Sequence, residues 1–284
     1  MTERLTLSGD FSYIKDTTLD SELEETGIVN NRENRRRYDS GGGMVYEISE
    51  RNDFGCDYMF TKINYDEDDK VDYERHTVKF PFNYYLKNQR DTLTLQPEYS
   101  FRDSDVSEVD NYKLSIGWSH LFSETFTLKV FAGGRYTETS YEDDRNDSNN
   151  SGLTADIQLQ NAGEANRSLV GYRRDLRTRS SGTEIEVDKF YCRMDQLITE
   201  RFGVGFDGSL YLTREDDDKD NNDNAEDSVY YTVTPSLFYK MTEQHILRLA
   251  YSYAREDDDA RDDDPVKDRH KIWLSLSFNF PKQW

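Results

Sequence analysis

Two short stretches of the sequence place a carboxylate two residues before a histidine. They are Glu74 and His76 in YERH, and Asp268 and His270 in KDRH. A carboxylate and an imidazole held together can polarise a water molecule as a general base. Neither pair has a serine or another third partner, and acidic loops that end beside a histidine produce such pairs by chance. We therefore expect the protein not to be an enzyme.

Candidate metal ligands are abundant but irregularly spaced. The stretch DDDKDNNDNAED has a carboxylate density that suits calcium, yet it lacks the central glycine and fixed spacing of an EF-hand loop. We interpret such stretches as solvated, self-repelling loops, with calcium binding as the open alternative. The four histidines are scattered, and Cys56 and Cys192 are expected to be small apolar strand residues rather than a disulfide. The sequence predicts neither a metal site nor a cofactor.

Charge and hydropathy exclude several classes of protein. The formal net charge of -21 makes nucleic acid an improbable partner, because phosphate binding needs a basic face. Although 33% of the residues are charged, the 20 tyrosines and 15 phenylalanines argue against disorder. No apolar run approaches the roughly 18 residues of a membrane helix. That excludes helical membrane proteins but leaves β-barrels, whose alternating segments are polar on average.

Apolar residues recur at every second position in about fourteen segments, and no convincing amphipathic helix occurs. The final stretch, KIWLSLSFNFPKQW, is a clear example, and its terminal Trp284 is in phase with the apolar row. That row consists of Ile272, Leu274, Leu276, Phe278 and Phe280. A period of two predicts strands with one apolar and one polar face. We expect this last strand to pair with the first, RLTLSGDFSYI, and so remove both edges of the sheet.

The number of strands decides which face of a closed sheet points inward. About fourteen strands with apolar faces inward would enclose a space that one layer of side chains cannot fill. A barrel with apolar residues toward lipid and polar residues around a water-filled lumen does not need side chains to fill its interior. We therefore predict an all-β fold, an antiparallel up-and-down transmembrane β-barrel. The charged residues predicted to line its lumen are Asp10, Arg37, Asp57, Lys79, Glu98, Lys113, Lys129, Arg135, Asp156, Arg173, Asp207 and Arg248.

These lining charges have two compatible interpretations. Interleaved charges can set up a transverse field that orients polar solutes and water. They can also pair across neighbouring strands and simply stabilise a wet wall. Because the two signs occur in similar numbers, we expect no strong ion selectivity from the wall. The acidic loops would favour cations at the pore mouth.

Short and long connections alternate along the chain, as expected for periplasmic turns and extracellular loops of one barrel domain over residues 1–284. Several short turns share an apolar–Ser/Thr–Glu–polar pattern, as in LFSETFT and LITERFG. An even strand count puts both termini on the periplasmic side. The opening MTERLTL repeats the turn pattern. Met1 is therefore interpreted either as an initiator added after signal-peptide removal or as a sign of missing upstream strands, which would make sixteen strands.

Three stretches carry a family resemblance: DSELEETGIVNNRENRRRYDSGGGMVYEISERNDFGCDYMFTKINYD, YERHTVKFPFNYYL and LSIGWSHLFSETFTLKVFAGGRYTETS. The sequence resembles the β-barrel porin type 2 family of Gram-negative outer membranes over nearly its whole length. The shared motifs are structural: the ETG loop, the Arg-rich entry to the second strand and the Ser/Thr–Glu turns. The resemblance implies an outer-membrane barrel, often associated with exopolysaccharide systems, and brings no catalytic residues. The sequence has no signal peptide at its start, although such a protein needs one for export.

The predicted function is a porin-like channel for hydrophilic solutes through a polar lumen of mixed charge. One alternative is a barrel for exopolysaccharide export or assembly. Inward aromatic residues would favour it because sugars stack on their rings, and Tyr85, Phe131 and Tyr211 are the candidates. Another alternative is a structural barrel that is plugged by its own loops.

Localisation in a bacterial outer membrane determines the expected partners. They are outer-membrane lipid, lipopolysaccharide and the barrel-assembly machinery, with polysaccharide-export proteins added in the export alternative. The terminal aromatic resembles the residue by which outer-membrane barrels are recognised for insertion. The predicted insertion signature is Leu274, Leu276, Phe278, Phe280 and Trp284.

Overall fold

The computed structural model describes residues 4–17, 34–67, 70–141, 147–178, 184–215, 228–258 and 267–278. Within them the chain forms fifteen β-strands, and no helix is long and apolar enough to cross a membrane. The strands are β1 (Leu5–Thr17), β2 (Asn34–Ser49), β3 (Asn52–Tyr65), β4 (Tyr73–Lys79), β5 (Phe82–Tyr85), β6 (Asp91–Ser104), β7 (Ser107–Leu121), β8 (Phe126–Tyr141), β9 (Ser148–Ala162), β10 (Asn166–Thr178), β11 (Glu184–Leu197), β12 (Phe202–Glu215), β13 (Ser228–Lys240), β14 (His245–Asp258) and β15 (Lys267–Phe278).

All strands pair antiparallel in one sheet, in the order in which they occur in the chain. β4 and β5 are two halves of one strand position, because both lie between β3 and β6. Pro81 separates the halves since it has no N–H to donate, although its carbonyl still accepts a hydrogen bond from Gly55 N at 2.8 Å. The described sheet thus has fourteen strand positions. The predicted all-β, antiparallel up-and-down architecture of fourteen strands is confirmed.

The two faces of the sheet have the inverted polarity that the sequence predicts. On β7, Leu114 and Ile116 are 52% and 66% exposed, whereas Ser115 between them is 4% exposed. On β9, Leu153 is 73% exposed and its neighbour Thr154 is buried. Exposed large apolar residues beside buried small polar ones are the reverse of a soluble barrel and are typical of a barrel that faces lipid.

Aromatic residues of the outer face lie near both ends of the strands. Near the long connections, the rings of Tyr99 and Tyr112 are 5.2 Å apart. Near the short turns, Phe122 and Phe126 are 5.3 Å apart. Two aromatic bands that flank an apolar zone correspond to the interfacial girdles of transmembrane barrels.

The Ser/Thr–Glu turns share one hydrogen-bond arrangement. After β7, Ser123 Oγ accepts a hydrogen bond from Phe126 N at 3.1 Å. After β11, Thr199 Oγ1 accepts the equivalent bond from Phe202 N at 2.9 Å, and Thr242 repeats the arrangement after β13. The hydroxyl satisfies a backbone donor inside the turn, so the sequence repeat encodes one turn type.

β1 and β15 are the two edges of the described sheet. Among the described residues no backbone pairing joins them, which differs from the direct pairing expected of the last and first strands. Side chains from both edges nevertheless line one internal cavity: Ile14 and Asp16 from β1, and Lys271 and Trp273 from β15. The sheet is therefore rolled around an internal space, and its edges share that cavity rather than a ladder of hydrogen bonds.

Candidate functional site: the charged lumen

The strand register places all twelve predicted lining residues on the inner face. Ten of them line at least one of two cavities: Asp10, Arg37, Asp57, Lys79, Glu98, Lys113, Asp156, Arg173, Asp207 and Arg248. Lys129 lies opposite Ser119 and Gln158 on the same face but lines neither cavity. Arg135 also lines neither, because it is buried against Glu186.

Two cavities occupy the interior of the rolled sheet. The smaller one, of about 750 Å³, is lined by residues of β1 to β4 and β6 to β10. The larger one, of about 920 Å³, is lined by residues of β1, β2 and β9 to β15. Arg37 and Arg173 line both cavities, so these two residues mark where the cavities meet.

The end of β10 separates from β9 and enters the lumen together with the start of β11, which stays paired with β12 from Ile185 to Leu197. β10 pairs with β9 only as far as Arg174, opposite Ala155, whereas β9 remains paired with β8 as far as Ser148. Beyond Arg174, β10 stays paired with β11. We call residues 175–178 and 185–188 the inner segment.

Three polar contacts join the inner segment to inner-face residues of distant strands. The pairs are Lys113 of β7 with Asp175, Arg75 of β4 with Thr178, and Arg135 of β8 with Glu186. β4 and β10 are five positions apart in the sheet, so contacts between their side chains span the lumen. The inner segment therefore lies inside the lumen, and its residues 175–178 line the smaller cavity.

The β11 part of the inner segment carries two apolar side chains. Ile185 and Val187 are buried in a cluster with Tyr211, Tyr230 and Ala254 of β12 to β14. Burial of these side chains removes apolar surface from a wet lumen, which favours the folded-in position of the segment.

The opposite face of the β11 part is charged. Glu186 accepts hydrogen bonds from Arg135 and from Arg174, the latter with Nη2 at 2.7 Å from Oε2. Arg174 Nη1 also lies 3.6 Å from Asp188 Oδ2. Arg135 is 4% exposed, and a guanidinium at that depth requires a partner because an uncompensated buried charge is strongly destabilising. The charged face thus fixes the segment against β8.

The cavity linings are basic although the chain is acidic. Eight lysine or arginine residues and three aspartates line the larger cavity, and eight basic and five acidic residues line the smaller one. The chain as a whole has a net charge of -21. The expectation that the two signs balance along the wall is therefore wrong for the cavities. The basic residues beyond those predicted are Arg35, Arg75, Arg102, Arg174, Arg177, Lys189, Arg193, Arg269 and Lys271.

One of these basic residues, Arg269, lies at a strand end that the charge pattern assigns to a loop. The phase of alternation would have found most of them, since Arg35 is in step with Arg37, and Arg269 is in step with Trp273. Arg174 is different. It has the phase of the outer face and reaches the interior because β10 leaves the wall beside it.

The three aromatic candidates for sugar stacking are placed differently. Phe131 lies flat against Gly117, where an added Cβ would come within 2.3 Å of its ring. Tyr211 is 1% exposed within the apolar cluster. Tyr85 is on the inner face near a short turn, and its hydroxyl donates to Asp53. Tyr85 is the most exposed of the three at 39%, whereas Phe131 is half-buried and lines the smaller cavity.

The two carboxylate–histidine pairs lie on the outer face. His76 Nδ1 is 2.8 Å from the hydroxyl of Tyr58, and His270 Nδ1 is 2.8 Å from the hydroxyl of Tyr251. Glu74 accepts a hydrogen bond from a lysine of β3 instead of contacting its histidine. Each imidazole thus contacts a tyrosine of the outer face near the long connections. This arrangement differs from the carboxylate–imidazole contact that a general base uses.

The remaining predicted sites are partly outside the described residues. Leu274, Leu276 and Phe278 are exposed on the outer face of β15, whereas Phe280 and Trp284 lie outside the described residues. Most of the long acidic connections, including DDDKDNNDNAED, also lie outside them. Within the described part of the chain, no group of three His, Cys, Asp or Glu side chains could hold a metal ion. The two cysteines are free and half-buried.

Solved structures match this fold, whereas no family model and no curated protein matches the sequence. The alcaligin outer-membrane receptor FauA from Bordetella pertussis has a TM-score of 0.57 at 10% identity, covering 99% of this chain and 56% of its own. The ferric preacinetobactin receptor BauA from Acinetobacter baumannii has a TM-score of 0.57 at 9% identity, covering 92% and 53%. The FrpB iron transporter from Neisseria meningitidis, as apoprotein, has a TM-score of 0.58 at 10% identity, covering 91% and 50%.

The chain thus spans about half the length of these receptors. At such low identity the similarity shows a shared fold but does not identify a transported compound. With its inverted faces and fourteen antiparallel strand positions, the chain has the fold of an outer-membrane β-barrel.

Proposed function

We propose that the protein is a channel of the bacterial outer membrane that passes hydrophilic solutes through its polar lumen. The observation that carries this proposal is the inverted polarity of the sheet, with Ile116 exposed to the outside and Ser115 beside the lumen. An apolar outer face needs lipid, and a polar inner face needs water. We place both termini on the periplasmic side and the long loops outside the cell, with outer-membrane lipid, lipopolysaccharide and the barrel-assembly machinery as partners.

The dimensions of the interior support small solutes. The cavities, of about 750 and 920 Å³, fall within the range of about 300–1,000 Å³ that holds small-molecule ligands. The matched structures are named as receptors and transporters of iron compounds, and their likeness supports a transport fold without extending their cargo to this chain. The family resemblance to type 2 β-barrel porins supports the same class of function.

A barrel closed by its own chain is the second candidate, and the inner segment favours it. Contacts from Lys113 to Asp175 and from Arg135 to Glu186 hold this segment across the interior. Exopolysaccharide export, with periplasmic partners, has weaker support, because Phe131 and Tyr211 are packed against the wall or buried.

Planar-bilayer recording of the refolded protein tests the proposed channel. We expect stepwise conductance that persists in the presence of neutral oligosaccharides. An intact, folded barrel that inserts but carries no current at any voltage would support the closed barrel and overturn the channel. If neutral oligosaccharides block the current, the result would support exopolysaccharide export. A protein that is soluble and monomeric without detergent would overturn the membrane location itself.

A further inference from the structure

We propose that the end of β10 is a gate with two positions. One is the observed position inside the lumen. In the other, residues 175–178 pair with residues 151–154 of β9, so that the end of β10 rejoins the wall and the lumen opens. The proposal rests on the proposed channel function, because the second position is the open state of that channel. Three observations support it: an unpaired edge of β9, the phase of the β10 side chains, and the contacts of the inner segment.

β9 has an unpaired backbone edge at the point where β10 departs from it. Residues 148–154 pair with β8 on one side, and within the described residues they have no strand partner on the other side. Such an edge presents N–H and C=O groups that a further strand can satisfy. The end of β10 is the nearest strand in the chain order of the sheet, because the two strands are already paired up to this point.

The alternation of β10 fits this unpaired edge. The last pair joins Arg174 to Ala155, and the same register continued by two residues places Leu176 opposite Leu153. Both leucines have the phase of the outer face, and Leu153 is exposed there. In the observed position Leu176 instead lines the smaller cavity. Rejoining the wall would therefore move an apolar side chain out of the lumen and place it beside another apolar side chain on the lipid-facing surface.

The observed position brings opposite faces of the sheet into contact. Glu186 of β11 is in step with Phe190, which is exposed on the outer face. Glu186 nevertheless contacts Arg135, which belongs to the inner face of β8. This contact requires the start of β11 to lie on the lumen side of β9. The guanidinium of Arg135 reaches it across Gly152 of β9, where an added Cβ would lie 2.7 Å from the guanidinium carbon.

The two positions use different interactions and exclude each other. The inner position has contacts across the lumen, such as Lys113 with Asp175 at 3.3 Å and Arg75 with Thr178. The second position would exchange them for backbone hydrogen bonds to β9. An element that trades one set of contacts for another has two discrete arrangements, which is the requirement for a gate.

Disulfide cross-linking of the protein in lipid vesicles tests the second position apart from conductance. Both free cysteines are first removed by Cys56→Ser and Cys192→Ser. The test variant adds Leu153→Cys with Leu176→Cys. Residues directly opposite on antiparallel strands have Cα atoms about 4.5–5.5 Å apart, which a disulfide can span. Oxidation should therefore trap the second position whenever the end of β10 visits it.

Two control variants separate pairing in this register from random collision. Ser151→Cys with Leu176→Cys is out of register by two residues, and such diagonal neighbours are about 7–8 Å apart, beyond the reach of an unstrained disulfide. Leu159→Cys with Val170→Cys joins residues that are opposite in the observed sheet and should cross-link in either position. We expect the test pair, Leu153 with Leu176, to cross-link at least about tenfold faster than the out-of-register pair.

Bilayer recording of the same variants tests the gate. The oxidised test variant should carry more current than its reduced form, and reductant should reverse the increase. Equal cross-linking of the test and out-of-register pairs, or none while the pair in the observed sheet cross-links, overturns the second position. A register-specific disulfide that leaves an existing current unchanged overturns the gate. If that disulfide forms and no variant conducts, the second position is supported and the channel is overturned. Heat-modifiable migration on gels checks that each variant is folded.

Discussion

Lys113 of β7 and Asp175 of β10 meet in the interior of the rolled sheet, with Nζ 3.3 Å from Oδ1. Their strands are three positions apart, so the pair is not a neighbour contact within the wall. The two side chains are 17% and 27% exposed, which gives the attraction less screening by water than at the protein surface. This ion pair is one of the contacts that hold the inner segment across the path of a solute.

Substitution Asp175→Asn should loosen the inner segment and raise the open probability of the channel. Loss of one partner of a partly buried charged pair costs about 1–3 kcal/mol, so displaced states of the segment become about tenfold more populated. The measurement is single-channel recording of the variant beside the unsubstituted protein. Asp207→Asn is the control, because it breaks the 2.6 Å pair with Arg193 on an adjacent strand and does not alter the Lys113–Asp175 pair. Equal open probability for all three proteins would contradict a gating role for this pair.

The sequence predicts the wall of the barrel better than its interior. A period of two follows from the pleat alone, so Leu114, Ser115 and Ile116 can be assigned to faces without any knowledge of the fold. The inner segment has no such signal. Arg174, which has the phase of the outer face, reaches the interior only because β10 leaves β9 there. That departure depends on side chains of strands distant in sequence, such as Lys113, which no local pattern encodes.

The charge of the lumen was underestimated for a related reason. Arg269 sits where an acidic stretch ends, so composition assigns it to a loop, whereas Arg35 belongs to the Arg-rich start of the second strand. In the structure they belong to strands and line the larger cavity. The acidic residues of those stretches dominate the net charge of the chain, whereas strand phase alone determines which charges a solute meets.

Adjacent residues on opposite faces of β6 provide a test of the lipid-facing surface. Leu95 is exposed on the outer face, and Gln96 lines the smaller cavity. Leu95→Lys should destabilise the inserted barrel by about 2–4 kcal/mol, because a lysine near the bilayer midplane loses its hydration. Gln96→Lys is the matched control and should cost much less, since its charge lies in the wet lumen. Urea titration in lipid vesicles measures both. A larger cost for Gln96→Lys would reverse the assignment of the two faces.

The hydroxyl groups of the short turns should stabilise the barrel through the backbone hydrogen bonds that they accept. Thr199→Val keeps the shape of the side chain but removes the acceptor for Phe202 N, which lies 2.9 Å from Oγ1. We expect a loss of about 1 kcal/mol in the free energy of unfolding. Thr199→Ser retains the hydroxyl and should recover most of that loss. Unfolding midpoints in urea are the measurement, and equal midpoints for the valine and serine variants would show that the hydroxyl has no such role.

Gly133 and Gly134 of β8 are neighbours with opposite tolerance for a side chain. A Cβ at Gly133 would lie 2.3 Å from the carbonyl oxygen of Leu114 and 2.9 Å from Cα of Ser115, which are backbone atoms that cannot rotate away. A Cβ at Gly134 would come no closer than 4.0 Å to the carbonyl oxygen of Gly152. Gly133→Ala should therefore force β7 and β8 apart and destabilise the barrel by about 1–3 kcal/mol. Gly134→Ala should leave stability unchanged or raise it slightly, because alanine lowers the entropy of the unfolded chain. Unfolding in urea, followed by heat-modifiable migration, compares the two variants directly, and equal stability would contradict this close approach between β7 and β8.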